Sequence, residues 1–418
     1  MATARRTIGL SACIVLAAIY AWFAARSFQA ARLASSLDVP SLERALALEP
    51  RDAAYQNLLC RYLLFDKQDA DAALPRCTRA TELNPYQSAY WLNLALAYYS
   101  TGAQQQQERA IRKAVAVDPM TPDVAWTAAN FLLAQGKTQE ALREFSVAMR
   151  GDPNTVQPAI ELCWRTLHDP NAIQAALPPD PAAYLKFVRL LTANHQWDAA
   201  QQAWSAMMQL NQPVDYRYAL FYVDELLQRH QAARAKEAWE QVVSRSVGLS
   251  RYRRGDGLVV DGSFEQPILN AGFDWHYSPQ PGSVVSIEPD AAHTGNQSLL
   301  IAYNGTGGDA GIVQYVPVKP DTQYTLSAWV KSGHLDAANG TAISVSDAYD
   351  DKRLGKTPET LDTTPWHRVD TVFRTGPQTD LVAVRITRDP GETHINGRLW
   401  IDDISLRQAP ALPGTQVH

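Results

Sequence analysis

Three patterns of apolar and polar residues follow one another along this chain. From Thr7 to Ala25 a run of 19 residues contains no charge, with Arg5 and Arg6 before it and Arg26 after it. About 20 apolar residues cross the hydrocarbon core of a bilayer as a helix. Residues 1–30 are therefore expected to form a short cytoplasmic tip and a transmembrane anchor through residues 7–25. The arginines ahead of the run favour a cytoplasmic amino terminus, a contrast that Arg26 and Arg32 on the far side weaken. Two other readings stay open. A signal peptide could be cut near Ala25, although Phe23 spoils the small-residue pattern there. Leu10-Ser11-Ala12-Cys13 has the look of a lipoprotein box, but most of the apolar run follows the cysteine instead of preceding it.

The second pattern, from about residue 31 to 248, is helical and repeats. Leu48-Glu49-Pro50, Leu83-Asn84-Pro85, Val117-Asp118-Pro119 and Gly151-Asp152-Pro153 place prolines 35, 34 and 34 residues apart. An acidic or amide residue can end one helix, and proline, which cannot continue it, is expected to open the next. Between the prolines, Trp91, Leu94, Ala95 and Tyr98 give one helix; Ala125, Ala128, Ala129 and Leu132 take the same places in the next unit. Gly136 supplies a turn, and Ala141, Phe145 and Ala148 follow. This set closely resembles the tetratricopeptide repeat family. The resemblance is clear over residues 40–165 and diverges through Pro181, Pro213 and the segment Lys236–Val243. It implies helical hairpins stacked into a superhelix whose groove holds an unidentified protein or peptide, or else an array that is only a spacer. Trp91, Tyr98 and Phe145 read as packing residues.

Cys60 and Cys163 stand ten residues after Pro50 and Pro153, the place of Ala95 and Ala129, where two helices approach closely and a small residue is required. Cys77, eight residues before Pro85, matches Phe145 before Pro153. In an antiparallel hairpin the positions of Cys60 and Cys77 face each other, so a disulfide between them is one hypothesis, allowed if the domain lies outside the cytoplasm; cysteine as a small hydrophobe is the other reading.

The third pattern begins near Gly257, where apolar residues start to alternate with polar ones. Tyr324, Leu326, Ala328 and Val330 fall on one face of a strand and Thr325, Ser327, Trp329 and Lys331 on the other. Ala342–Ser346, Val369–Phe373, Leu381–Ile386 and Leu399–Leu406 read as further strands of an antiparallel sandwich. The order of motifs is then distinctive: Val260-Asp-Gly-Ser-Phe-Glu265, Gly272-Phe-Asp-Trp275, His293-Thr-Gly-Asn-Gln-Ser-Leu299, Gln314-Tyr-Val-Pro-Val-Lys-Pro320, Trp366-His-Arg368 and Gly397 to Leu406. Over residues 257–408 this resembles the galactose-binding-like jelly rolls of carbohydrate-binding module families 4 and 9; residues 409–418 form a tail. The resemblance implies a structural calcium held by Glu265 and Asp402 with carbonyls near Gly295, calcium taking six to eight oxygen ligands. It also implies a glycan site, for which Trp275, Tyr277, Trp329 and Tyr349 offer rings and Gln314, Asp347 and Arg385 offer polar partners. Trp329, on the polar face of its strand, is the leading platform, while Trp366 and Trp400 read as structural.

Composition adds exclusions. A net charge of −5 with no basic face speaks against nucleic acid as a partner. Asp350-Asp351 and Asp402-Asp403 are adjacent on strands, which sends their carboxylates to opposite faces and not to one catalytic cleft. No nucleophile elbow, zinc-binding helix or phosphate loop is present, and no enzyme is expected. The expected protein is multidomain: anchor, all-α solenoid, all-β jelly roll. It would be a single-pass inner-membrane adaptor, its bulk in the periplasm or outside the cell, joining a protein partner to a polysaccharide. A setting in surface polysaccharide assembly or export suits that combination. The alternative is a protein scaffold whose sandwich binds no sugar.

Overall fold

A computed structural model describes residues 2–252, 257–306, 309–389 and 394–409, with side chains from Cys13 onward. The expectations placed on the Arg5 and Arg6 side chains, on the Leu10–Ala12 side chains and on the tail from residue 410 lie outside the described residues. The chain divides into two compact units, Met1–Pro179 and Asp180–His418.

The first unit opens with α1, Ala2–Ala34, of which Cys13–Ala34 has the length and composition of a membrane span or a signal sequence. Ile14, Leu16, Tyr20, Trp22 and Phe23 are exposed on it. The helix runs on past the expected anchor without a break. Ala30 and Ala34 are buried against Leu42, Ala45 and Leu46 of α2, Val39–Leu48, so the end of the apolar helix is also one arm of the first hairpin. Arg26 turns back to donate from Nε to the carbonyl of Leu48 at 2.6 Å, and Ser27 Oγ donates to Glu49 at 3.0 Å. A guanidinium at the carboxyl end of α2 satisfies a carbonyl that has no partner within the helix.

Three further hairpins follow: α3 (Ala53–Phe65) with α4 (Ala70–Leu83), α5 (Ser88–Ser100) with α6 (Gln104–Val117), and α7 (Pro122–Ala134) with α8 (Thr138–Gly151). α9 (Val156–Leu167) and the short α10 (Pro170–Ala176) close the unit. Glu49, Asn84, Asp118 and Asp152 are helix C-caps, as the proline spacing implied. The prolines after them do not all open helices. Pro50, Pro85 and Pro119 lie in the turns, and only Pro153 begins a helical turn. An aspartate opens α3 instead, Asp52 accepting from the N–H groups of Ala54 and Tyr55, and Asp69 likewise opens α4 by accepting from that of Ala72; α5 and α7 start after Gln87 and Thr121 without a side-chain cap. The close-approach position is fully occupied by small residues, since Cys60, Ala95, Ala129 and Cys163 are all buried. Cys60 and Cys77 form a disulfide with Cα atoms 5.1 Å apart.

The second unit begins with two more hairpins, α11 (Pro181–Ala193) with α12 (Trp197–Gln209) and α13 (Tyr216–Gln228) with α14 (Ala232–Arg245). Trp204 stacks on Tyr222 at 4.5 Å between them. The sandwich follows, with ten strands among the described residues: β1 His276–Tyr277, β2 Ser283–Glu288, β3 Ser298–Thr306, β4 Asp309–Pro317, β5 Gln323–Ala337, β6 Thr341–Asp347, β7 Arg353–Lys356, β8 Asp362–Arg374, β9 Leu381–Arg388 and β10 His394–Gln408. One sheet has the order β1-β4-β9-β6-β7 and the other β2-β3-β10-β5-β8, and the pairings are antiparallel. Tyr324, Leu326, Ala328 and Val330 face inward as alternation requires and meet Val382, Val384 and Ile386 of β9 in the core between the sheets.

The hairpin α13–α14 packs directly on the sandwich. Trp239 of α14 lies edge-on to Phe273 with ring centres 6.2 Å apart. Asp224 of α13 accepts the N–H of Gly272 at 2.6 Å. His230, in the turn between the helices, stacks on Tyr349 at 4.0 Å and 13°. Below the hairpin, Tyr252 donates to the carbonyl of Pro267 at 2.6 Å.

Candidate functional site

The seven residues expected to bind sugar do not assemble into one site. Trp275 is 0% exposed; it packs on Phe264 and donates from Nε1 to the carbonyl of Asp261 at 3.1 Å. Gln314 is also 0% exposed, because it shares the inward face of β4 with Ile312 and Val316. Its amide is spent on the backbone N–H and C=O of Val260, at 2.9 and 2.8 Å. A buried amide whose oxygen and nitrogen are both bonded is structural glue, not a sugar ligand. Tyr277 pairs opposite Ile312 and packs on the core. Asp347 closes its own turn, accepting from the Tyr349 N–H at 2.9 Å and from Thr379 Oγ1 at 2.5 Å. Tyr349 lies beneath His230. Arg385 faces outward from β9 but is paired with Asp351 at 2.5 Å.

The outer face of the first sheet is thus partly used by the chain itself. Where α13 meets it, a depression of about 380 Å³ remains, lined by Asp224, Leu227, His230, His276, Tyr315 and Tyr349. Burial pushes the Asp224 carboxyl up, against the N–H of Gly272 and the nearby His276, which pull it down.

The outer face of the second sheet is more open and carries a larger depression, about 730 Å³. Its floor is set by strand register. Trp329 of β5 stands opposite Arg368 of β8, Ser327 opposite Asp370 and Ser405, and Thr325 opposite Val372 and Arg407. Trp329 is not a bare platform. The ring of His293 covers one of its faces at 3.9 Å and 14°, and Trp366 meets His293 edge-on at 5.8 Å. The aromatic wall of this groove is the stacked Trp329–His293 pair with Trp366 beside it. Alternation found Trp329; His293, Trp366, Arg368 and Arg407 were missed, although the first three lie in motifs that the family resemblance singles out.

An irregularity in β10 shapes the end of the groove. Register jumps between Asp402, opposite Trp329, and Ser405, opposite Ser327, and Asp403 adopts φ +51. The jump defeats strand alternation. Asp402 and Asp403, expected on opposite faces, both reach the same turn. Asp402 Oδ2 accepts the N–H groups of His293 and Thr294 at 2.7 and 3.0 Å. Asp403 takes His293 Nδ1 at 2.7 Å and Thr294 Oγ1 at 2.6 Å. Burial raises the Asp402 carboxyl, opposed by those N–H donors.

The same turn tests the expected calcium. Glu265 Oε1 accepts the N–H groups of Asn296 and Gln297, at 2.7 and 3.3 Å, and Oε2 the Asn296 amide at 3.2 Å. Gly295, at φ +69, would place a Cβ 2.1 Å from Glu265 Oε1, so only glycine lets the loop close on the carboxylate. The loop therefore turns N–H groups, not the expected carbonyls, toward both acids. N–H groups carry positive partial charge and compensate the carboxylates in a cation's stead. Among the described residues no group of three or more His, Cys, Asp or Glu is placed to hold a metal.

Residues 256–391 match the model of a carbohydrate binding domain family. The second sheet continues beyond that match through β10. A search of the curated proteins returns no match. Solved structures similar to parts of this chain include a family 16 carbohydrate binding module, 25% identical, covering 36% of this chain and 99% of its own, with a TM-score of 0.27. The xylan-binding CBM22-1 domain of Paenibacillus barcinonensis Xyn10C is 17% identical over 38% of this chain and 99% of its own, TM-score 0.28. Pseudomonas aeruginosa pilF is 17% identical over 46% of this chain and 90% of its own, TM-score 0.27. The chain thus joins stacked helical hairpins to an antiparallel sandwich whose residues 256–391 are similar to a carbohydrate binding domain.

Proposed function

We propose that the chain is a membrane-anchored adaptor that binds a saccharide on the outer face of the second sheet and a protein or peptide in the groove of its repeats. The observation that carries the saccharide reading is the groove beside Trp329. Stacked rings form one wall, and hydroxyls and guanidiniums line a floor open to solvent. Saccharide recognition needs this pairing, an aromatic surface for the apolar face of a pyranose and a few placed polar groups for its hydroxyls. The anchor reading rests on α1, apolar over a full membrane span. The Cys60–Cys77 bridge supports an oxidising, extracytoplasmic location for the array, since disulfides persist there and are rare in the cytosol. A role in surface polysaccharide assembly or export suits an anchored protein of this kind.

A second reading, a protein scaffold that binds no sugar, is favoured by one observation: the first sheet already uses its outer face to pack a helical hairpin. The full chain in detergent, screened on a glycan array with Trp329→Ala in parallel, separates the two. Binding that the variant loses, with its melting profile retained, supports the adaptor. A folded protein that binds no glycan sinks the saccharide reading and leaves the scaffold.

A further inference from the structure

We infer that the saccharide taken by the Trp329 groove is acidic, with anionic substituents, carboxylate or phosphate, that meet Arg368 and Arg407; this rests on the saccharide reading above. The support is an accounting of charge along the groove. Of its carboxylates, Asp261, Glu265 and Asp403 are engaged within the fold, and Asp370 on the floor is the one exposed acid, loosely set beside Arg368. Asp261 accepts the N–H groups of Glu265 and Gln266, each at 3.0 Å. Glu265 is held by the Asn296 loop and Asp403 by His293 and Thr294.

The arginines are not engaged to the same degree. Among the described residues, Arg407 gives only Nε to Ser405 Oγ, at 3.1 Å. Arg368 stands 3.9 Å from Asp370, with both side chains more than half exposed, an arrangement too loose and too wet to saturate a guanidinium. Each guanidinium has five N–H donors in a planar fork that suits a carboxylate or phosphate, so most of this capacity faces the groove unused. The ligand that best fills such a surface brings the negative charge the protein withholds.

Register also sets the spacing of the two contacts. Arg368 lies at the level of Trp329 and Arg407 at the level of Thr325, four residues along β5 and across two strand spacings. At about 3.3 Å per residue and about 4.8 Å per strand, the two Cα atoms are roughly 16 Å apart. The two side chains thus rise from well-separated points of the sheet. The arrangement suits an extended chain that lays one sugar against the rings and presents charges to the arginines from different sugars.

The test uses the full chain in detergent with polygalacturonate, its carboxyl-reduced neutral form and a phosphate-bearing mannan, titrated at low and high salt. The expected result is binding to a charged polymer that weakens with salt, as exposed ion pairs do. It should weaken roughly tenfold in Arg368→Ala and in Arg407→Ala, the scale of losing a charge-assisted contact. The Lys variants should recover part of it. Preference for polygalacturonate over its reduced form supports a carboxylate, and phosphomannan binding lost in the same variants supports a phosphate. Equal binding of charged and neutral forms, unaffected by the arginine variants, overturns acidity and leaves the saccharide reading intact. So does array binding confined to neutral glycans. No saccharide bound by folded protein overturns both.

Discussion

Gly272 is the most demanding position in the joint between the last hairpin and the sandwich. Its φ is +62, and an added Cβ would lie 2.5 Å from Cε3 of Trp239, a side chain 3% exposed. Gly272→Ala therefore meets two costs. The left-handed backbone disfavours any Cβ by roughly 1–2 kcal/mol. Forcing a methyl into a packed ring adds roughly 1–3 kcal/mol. The sum, roughly 2–5 kcal/mol, should appear as a lower denaturant midpoint for the second unit. Amides of α13 and α14 should exchange faster, since the displaced Trp239 is what α14 sets against Phe273. Gly102→Ala is the control. It too has positive φ, +75, but nothing lies within 4 Å of the new Cβ, so only the backbone cost should register on the first unit's transition. If Gly272→Ala costs no more than Gly102→Ala, the close packing of α14 on the sandwich is refuted.

Three other outcomes follow from named groups. Replacing Cys60 and Cys77 by alanine removes a bridge across 17 residues, and the first unit should lose about 3 kcal/mol in denaturant titration; alkylation of both thiols in unreduced protein would refute the bridge. Asp274 is 1% exposed, and burial lifts its carboxyl to about 7 although the Leu269 N–H opposes this. Folded protein thus holds a proton that the unfolded chain releases near pH 3.9, so this contribution is fully present below that value and fades as pH rises through about 7. The second unit should be stabilised on going from pH 8 to 5, on the order of 1–3 kcal/mol, and Asp274→Asn should flatten that slope. Finally, because the Glu265 and Asp402 oxygens are met by N–H groups, millimolar calcium or a chelator should leave the melting temperature unmoved; a clear rise with calcium would restore the metal.

Periodicity made the scaffold readable. Proline spacing located the hairpins, and the demand for a small residue ten positions later explained Cys60 and Cys163. Alternation along β5 put Leu326 inside and Trp329 outside. The same rule, applied to β4, would have sent Gln314 inward with Ile312 and Val316; its polarity was allowed to outweigh its parity. Asp402 and Asp403 were beyond such rules, because a register jump is set by how β10 pairs and not by its own sequence. His293 stacks on Trp329 from a turn outside β5, and His230 meets Tyr349 across more than a hundred residues. Contacts of that kind arise from packing, which local pattern does not encode.

The joint on the first sheet bears on how the sandwich works. A module meant only to be displayed could hang from a linker, or rest on an apolar seam. Here the seam contains Asp224, whose carboxyl burial makes costly, held by the Gly272 N–H and attracted by His276, which itself bonds the Gly272 carbonyl at 2.9 Å. A half-buried polar set of this kind contributes less to affinity than a hydrophobic patch of equal size, and its bonds favour one alignment. Trp239 against Phe273 supplies the apolar half of the seam. The hairpin is thereby fixed in register on one sheet, and the opposite sheet is left as the open face. It follows that residues 180–418, and not the sandwich alone, are the smallest piece in which the Trp329 groove should be studied, since removing α13–α14 would expose Phe273, Tyr349 and the first sheet to contacts the intact chain never offers.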